Sequence, residues 1–217
     1  MKRLIIIVEG QTEEEFVNQV LAPYFRTKDI LSVVPIKIAT SNTSKGGFVN
    51  YQHLKNDVLK RIRETDVVIS TFVDYFRIPT SIPDYLTCQS KSNVDERITC
   101  LERAIATDIN FPNFLPYIQK HEFEALLFSS SVGFENLYDG DIISETTSVI
   151  AEYQNPEDIN SRPEFSPSKR LISIMGSYEK VFEGNMIALE VGINTMLEKC
   201  PRFNNWVEKL IVEVKNN

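Results

Sequence analysis

The feature that most constrains this chain is an alternation of hydrophobic period along its first half. Three runs rich in β-branched residues, RLIIIVE (3–9), SVVPIKIAT (32–40) and DVVISTFVD (66–74), are separated by segments whose apolar residues recur at helical spacing. The segment 12–25 places Phe16, Val17, Val20, Leu21 and Tyr24 on one face, and YQHLKNDVLKRIRE (51–64) does the same with Leu54, Val58, Leu59 and Ile62. Strand, helix, strand, helix, strand requires a parallel sheet with crossover helices. Pro35 cannot donate to a ladder, which assigns the second run to an edge.

FLPYIQ (114–119) reads as a fourth strand, preceded by a helix over 94–107. Before that helix lies YFRIPTSIPDYLTCQSKSN (75–93), rich in Pro, Ser and Thr and without period; a loop of that length in a compact domain is a functional or mobile element. Beyond about residue 130 the β signal fades. SPSKRLISIMGSYEK, NMIALEVGINTMLEK and PRFNNWVEKL read as three helices, with Ser166 an N-cap before Pro167 at the first helical position. The expected architecture is an α/β core over 1–130 with a mostly parallel central sheet flanked by helices, and a helical extension over 131–217 packed on it as one structural unit. Trp206, the only tryptophan, lies on an amphipathic helix and is expected in the core.

Composition narrows the function. The longest apolar runs fall far short of the ~20 residues of a membrane span, and MKRLIIIVEG reaches Glu9 too soon for a signal segment, so the chain reads as cytoplasmic. Cys88, Cys100 and Cys200 are widely spaced and form no C-x-x-C, so neither a disulfide framework nor a zinc site is expected; His53 and His121 alone exclude a multi-histidine metal centre. The net charge of -7 opposes broad adhesion to nucleic acid and leaves room only for a local basic groove.

The acids after the first strand carry the chemistry. Thr12 and Glu15 form a T-x-x-E pattern, which assigns Glu15 to capping its own helix, and Glu14 is read as a solvated residue favouring the helix dipole. Glu13 precedes Phe16, Val17, Val20 and Tyr24 by helical intervals and is expected to point inward. Glu9 and Asp74 end the first and third strands, whose C-terminal ends share one edge. Carboxylates gathered there repel unless protons or cations intervene, and oxygen-only ligands select Mg²⁺, Mn²⁺ or Ca²⁺ over zinc. The competing reading is that each acid independently caps a turn.

VEG followed by Glu13, together with TFVDYF, resembles a Toprim domain, the metal-binding module shared by topoisomerases, primases and the overcoming-lysogenization-defect family nucleases. VEGQTEEEF, TFVDYFRIP, PYIQKHEFEALLF, PSKRL and CPRFNNW together resemble an uncharacterised bacterial Toprim-like family regarded as a companion to an ATPase in phage defence. The resemblance implies a Toprim-like fold with Glu9 and Asp74 as metal-coordinating residues and Glu13 as the helix-borne acid. The chain departs from the Toprim pattern where the second aspartate of D-x-D would stand, because that position is Phe76.

HEFEALLF offers replacements in Glu122 and Glu124, with Glu122 favoured for its position at the strand-to-helix turn. His121 is a further candidate for phosphate contact, set against the commoner role of a structural hydrogen-bonding residue. Lys169 and Arg170 begin a helix and are candidates for a phosphate; Lys169 would stabilise charge on a leaving group. TSKGGF (43–48) brings Lys45 near the same edge but is not a P-loop.

Two functions follow. One is metal-dependent phosphodiester hydrolysis, a nuclease using Mg²⁺ or Mn²⁺ on DNA or RNA, with an ATPase partner or a homodimer helping to hold substrate. The other is a catalytically inactive regulatory or interaction module that keeps the same fold.

Overall fold

The computed structural model describes residues 2–39, 47–159 and 163–216. Five strands form the sheet: β1 (Arg3–Val8), β2 (Val33–Lys37), β3 (Val67–Asp74), and two short pieces, β4 (Phe114–Leu115) and β5 (Ile118–Gln119). The order is β2-β1-β3-β4, with β5 also on β3, and every pairing is parallel. This is the α/β architecture expected from the period changes, with Pro35 on an edge strand opposite Ile6. The fourth run is split in two because Pro116 interrupts it, and the hydroxyls of Ser70 and Thr71 bond the carbonyls of Leu115 and Tyr117 across the gap.

Helices cover both faces. The first crossover contains α1 (Gln11–Phe16), a π-helical turn (Val17–Leu21) and α2 (Ala22–Thr27). Pro23 explains the widened turn: it lacks an N–H and its ring would crowd the carbonyl four residues back, so the ladder loosens just before it. Next come α3 (Tyr51–Arg61), the short α4 (Tyr85–Gln89) and α5 (Val94–Ile109). The segment 75–93 is therefore not plain loop. It buries Ile78 and Ile82 and holds α4, which is joined to α5 by a Cys88–Cys100 disulfide. Spacing gave no sign of that bond, and it corrects the expectation that these cysteines stay unpaired; α4 folds back on α5 and brings the two Cα atoms to 5.3 Å.

After a 3-10 segment (Phe123–Ser129) the chain is helical: α6 (Val132–Glu135), α7 (Asp141–Glu152), α8 (Pro167–Met175), α9 (Phe182–Val191), α10 (Ile193–Lys199) and α11 (Pro201–Lys215). Helix α7 adds to the three helices read from sequence, and the middle one is broken at Gly192, whose φ of +76° ends α9 and starts α10.

The strand period of two divides the core. Leu4, Ile6, Val8, Val68 and Phe72 face α1, the 3-10 segment, α9 and α11, whereas Ile5, Ile7, Ile69 and Val73 face α3 and α5. Asp74 shares the parity of Val68 and Phe72, which sends its carboxylate toward the helical extension. Trp206 ties that extension to the sheet: its ring stacks on Tyr117 at 4.4 Å and its indole N–H donates to Ser70 at 2.8 Å. Glu157 fixes the start of α11 by accepting the backbone N–H groups of Arg202 and Phe203.

Replacing Trp206 with Ala removes both the stack and the donor. We expect a loss of about 3–5 kcal/mol in urea unfolding, within a single transition because core and extension share one hydrophobic cluster.

Candidate active site

The acids meet at the C-terminal end of β1 and β3. Helix α1 starts two residues earlier than the T-x-x-E pattern implied, with Gly10 as its N-cap in extended conformation. Glu13, not Glu15, is thus the residue that reaches back, its Oε2 accepting the Gly10 N–H at 2.9 Å. Glu15 instead accepts from Gln19 on the exposed surface, and Glu14, read as solvated, pairs with Lys37 at 2.6 Å. The other oxygen of Glu13 faces inward, with the residue only 3% exposed.

What it faces is Lys180, a residue that no sequence motif marks. Lys180 Nζ lies 3.6 Å from Glu13 Oε1, 3.6 Å from Asp74 Oδ2 and 3.4 Å from Glu124 Oε1. Its side chain keeps 40% of its surface accessible, while its ammonium is desolvated among the acids, so the stem and not the charged end carries most of the exposure. Lys180 stands in the connection between α8 and α9, after Gly176 (φ +72°) has ended α8. The only sequence signal was the Gly176-Ser177 break, which takes 178–180 out of the helical run; nothing in the spacing points at the acids.

Each carboxylate is held differently. Asp74 Oδ1 accepts the Phe123 N–H at 2.8 Å, which locks the start of the 3-10 segment onto the end of β3. Glu9 lies one step outward, its Oε2 accepting the Asp74 N–H at 3.3 Å, while its carbonyl accepts from Gly47. Glu124 is 0% exposed, and among the described residues neither of its oxygens has a partner of hydrogen-bond geometry, Lys180 standing off at 3.4 Å from Oε1. The Tyr178 hydroxyl, also buried, likewise has no partner.

Burial and mutual repulsion raise the proton affinity of Asp74, Glu9 and Glu124. Desolvation holds Asp74 well above the usual carboxylate range, with Glu13, Glu9 and Glu124 adding to it and Lys180 opposing it. Desolvation, with Glu13, also pushes Glu9 up. Glu124 is pushed up to about 7, first by burial and then by Glu122, against the pull of Lys180. Burial alone would depress Lys180, but Asp74, Glu124 and Glu13 outweigh it and hold the ammonium well above its ordinary value.

The remaining residues named from sequence are placed elsewhere. Spacing favoured Glu122 over Glu124, yet it is Glu124 that reaches Lys180. Glu122 sits in extended backbone before the 3-10 turn and its carboxylate accepts the Ser168 N–H at 2.9 Å and the Ser168 hydroxyl at 3.0 Å, so it caps α8. The Ser166 side chain, assigned that cap from sequence, makes no such bond. His121 takes a left-handed backbone (φ +62°) and is pushed down to about 4, by burial and then by Lys120, so its ring is neutral near pH 7. Arg170 is bound to the Phe165 carbonyl and the Tyr153 hydroxyl, and Lys169 is exposed beside it, lining a 350 Å³ cavity in the extension with no carboxylate of the cluster in its walls. Lys45 lies outside the described residues.

The donor set is all oxygen, and the orphaned Glu124 carboxylate is the kind of group a hard cation satisfies. As the side chains stand, among the described residues no three His, Cys, Asp or Glu converge closely enough to hold a metal ion. The Lys180 ammonium fills the point toward which Glu13, Asp74 and Glu124 converge. The residues fit Mg²⁺ or Mn²⁺ in kind; to hold one, Lys180 would have to leave that point and the three carboxylates close on it.

An α/β domain with an acidic centre at the C-terminal edge of its parallel sheet defines the class. The model of the family described as "Domain of unknown function (DUF4276)" matches residues 8–211, and the chain belongs to that family. No curated protein matches the sequence. Among solved structures, the C-terminal region of the OLD protein of Xanthomonas campestris pv. campestris, in its platinum-phased form, superposes with a TM-score of 0.51 at 14% identity, covering 98% of this chain and 92% of that one. The C-terminal region of the Burkholderia pseudomallei OLD protein gives a TM-score of 0.48 at 13% identity, covering 99% and 97%. At these identities the likeness is one of fold. Among the described residues no helix is long and apolar enough to cross a membrane.

The Glu124 shift makes a pH prediction. Its pKa rises from 4.5 unfolded to about 7 folded, so the native state binds the extra proton in between. The stabilisation is complete below pH 4.5 and is lost as pH rises through about 7. Glu124→Gln keeps the shape without the charge, and is expected to flatten this dependence and raise stability at pH 8 by up to about 3 kcal/mol. Urea unfolding of both proteins across that range, without divalent metal, checks it.

Proposed function

We propose that this protein is a Toprim-like, Mg²⁺- or Mn²⁺-dependent phosphodiesterase acting on nucleic acid, with residues 1–130 and 131–217 working as one unit. The observation that carries the reading is the convergence of Glu13, Asp74 and Glu124 on a single cationic point, with the buried Glu124 oxygens meeting Lys180 as an ion pair and making no hydrogen bond of good geometry among the described residues. Isolated caps would not leave a carboxylate unsatisfied at 0% exposure. The motif resemblance to Toprim domains, and the fold likeness to the OLD C-terminal region at a TM-score of 0.51, support the same assignment.

Glu13, Asp74 and Glu124 would hold the cation, with Glu9 as an outer ligand. Bound there, Mg²⁺ or Mn²⁺ supplies polarisation of a phosphoryl oxygen and activation of water at neutral pH. The chain's own groups do the rest. The two backbone bonds, Phe123 N–H to Asp74 and Asp74 N–H to Glu9, fix two of the carboxylates before substrate arrives. Lys180, displaced outward, carries its ammonium to the mouth, where it pairs with a phosphate oxygen and offsets charge developing there. Phe76 in place of a second aspartate leaves Glu124 as the acid that completes the set. A basic partner such as an ATPase, or a second copy of the chain, would supply the positive surface that a net charge of -7 does not.

A second reading has its own observation. Lys180 already neutralises the centre, so a module in which the lysine permanently replaces the metal would keep the fold and cut nothing. Calorimetry with Mn²⁺ separates the two. The hydrolytic reading expects the wild type to bind, Lys180→Ala to bind at least as tightly, and Asp74→Asn to lose more than the roughly 10–100-fold typical of losing an outer-shell partner. Binding by Lys180→Ala alone would establish the lysine as a resident substitute and remove the hydrolytic reading. Where the wild type binds, its Mn²⁺-dependent cleavage of oligonucleotides is expected to disappear in Asp74→Asn and to fall in Lys180→Ala.

A further inference from the structure

The residue that departs from the acidic pattern has a physical setting of its own. Phe76 follows Asp74 by two positions at the end of β3, and its backbone N–H donates to the carbonyl of His121 at 2.9 Å. That bond holds it between Asp74 and the turn carrying Glu122 and Glu124. The ring is only half-buried and belongs to neither hydrophobic cluster.

Arg77 gives the ring a partner. It adopts φ +61°, a left-handed conformation that is uncommon for such a residue, and its guanidinium lies over the Phe76 ring at 5.3 Å. His121, bonded to Phe76, has φ +62°. Two unusual backbones thus hold the exposed Arg77 and the half-buried Phe76 ring beside Asp74, at the rim of the carboxylate cluster. A second aromatic, Phe182, stands two residues beyond Lys180 at the start of α9 and is 63% exposed.

Aromatic rings with an arginine beside a phosphate-handling centre are the surfaces on which successive unpaired bases stack, and stacking is independent of the protein's net charge. That matters here, because a chain of charge -7 gains little from the phosphate backbone. Paired bases present no free faces to such a rim. We propose that Phe76, Arg77 and Phe182 form a stacking platform for unpaired nucleobases, so that the phosphodiester delivered to the acidic site belongs to single-stranded nucleic acid. This deepens the phosphodiesterase reading and rests on it.

The test uses the full chain and short fluorescent strands in EDTA, so that no metal is bound and no cutting occurs. Anisotropy is read for single-stranded DNA, single-stranded RNA, the duplex, and a strand whose sugars carry no bases. We expect both base-bearing single strands to bind about tenfold or more tighter than the duplex and the abasic strand. Phe76→Ala and Phe182→Ala should each erase about tenfold of that preference while leaving abasic binding unchanged, and Phe76→Tyr should restore it; thermal melts confirm that each variant is folded. Equal binding of abasic or duplex strands by the wild type, or an unchanged preference in both alanine variants, would overturn the platform. A parallel Mn²⁺ cleavage assay keeps the two claims apart: base-dependent binding without cleavage leaves the platform and removes the hydrolytic reading, whereas cleavage of duplex as fast as single strand, unaltered in Phe76→Ala, does the reverse.

Discussion

Gathering carboxylates at one end of a parallel sheet is costly, because each loses water and each repels the next. Lys180 is what makes the arrangement tenable in the protein described here: one ammonium within 3.6 Å of Glu13, Asp74 and Glu124. Much of the local structure is arranged around that contact. The end of β3 is bonded to the 3-10 segment through Asp74 and Phe123, the start of α1 is closed by Glu13, and the connection between α8 and α9 crosses the sheet end to bring the lysine in. The remaining deficit, a buried Glu124 carboxylate with an ion pair but no hydrogen bond among the described residues, marks the place where the protein is least satisfied on its own.

The fold was legible because its determinants are periodic. The β-branched runs, the apolar faces of the crossover helices and Pro35 on an edge each follow from a repeat of 2 or 3.6, and those repeats dictate a parallel sheet. What escaped depends on contacts between distant residues. The Cys88–Cys100 bond arises from α4 folding back on α5; the division of the fourth strand comes from Pro116; the cap of α8 is supplied by Glu122 from another element. The helix start was misjudged by two residues because Thr12 and Glu15 fit a capping pattern that Gly10 and Glu13 actually fulfil.

The site was partly legible for the same reason. Glu9, Glu13 and Asp74 could be placed together because strand ends and a helix face are local inferences. Position at the strand-to-helix turn favours Glu122, but which of the two reaches the cluster turns on whether the chain after β5 is extended or coiled at a single residue, and the extended backbone at Glu122 leaves Glu124 facing Lys180. Lys180 was invisible: no local pattern separates it from other lysines, and its role exists only because tertiary structure carries its loop over the sheet end.

In the proposed site the Lys180 ammonium occupies a place a divalent cation can take. Crystals grown with Mn²⁺ and measured at its absorption edge test this most directly. The account predicts an anomalous peak enclosed by Glu13, Asp74 and Glu124, with the Lys180 side chain turned outward. An empty centre with Lys180 still against the three carboxylates, at Mn²⁺ concentrations that saturate other oxygen-ligand sites, would contradict it.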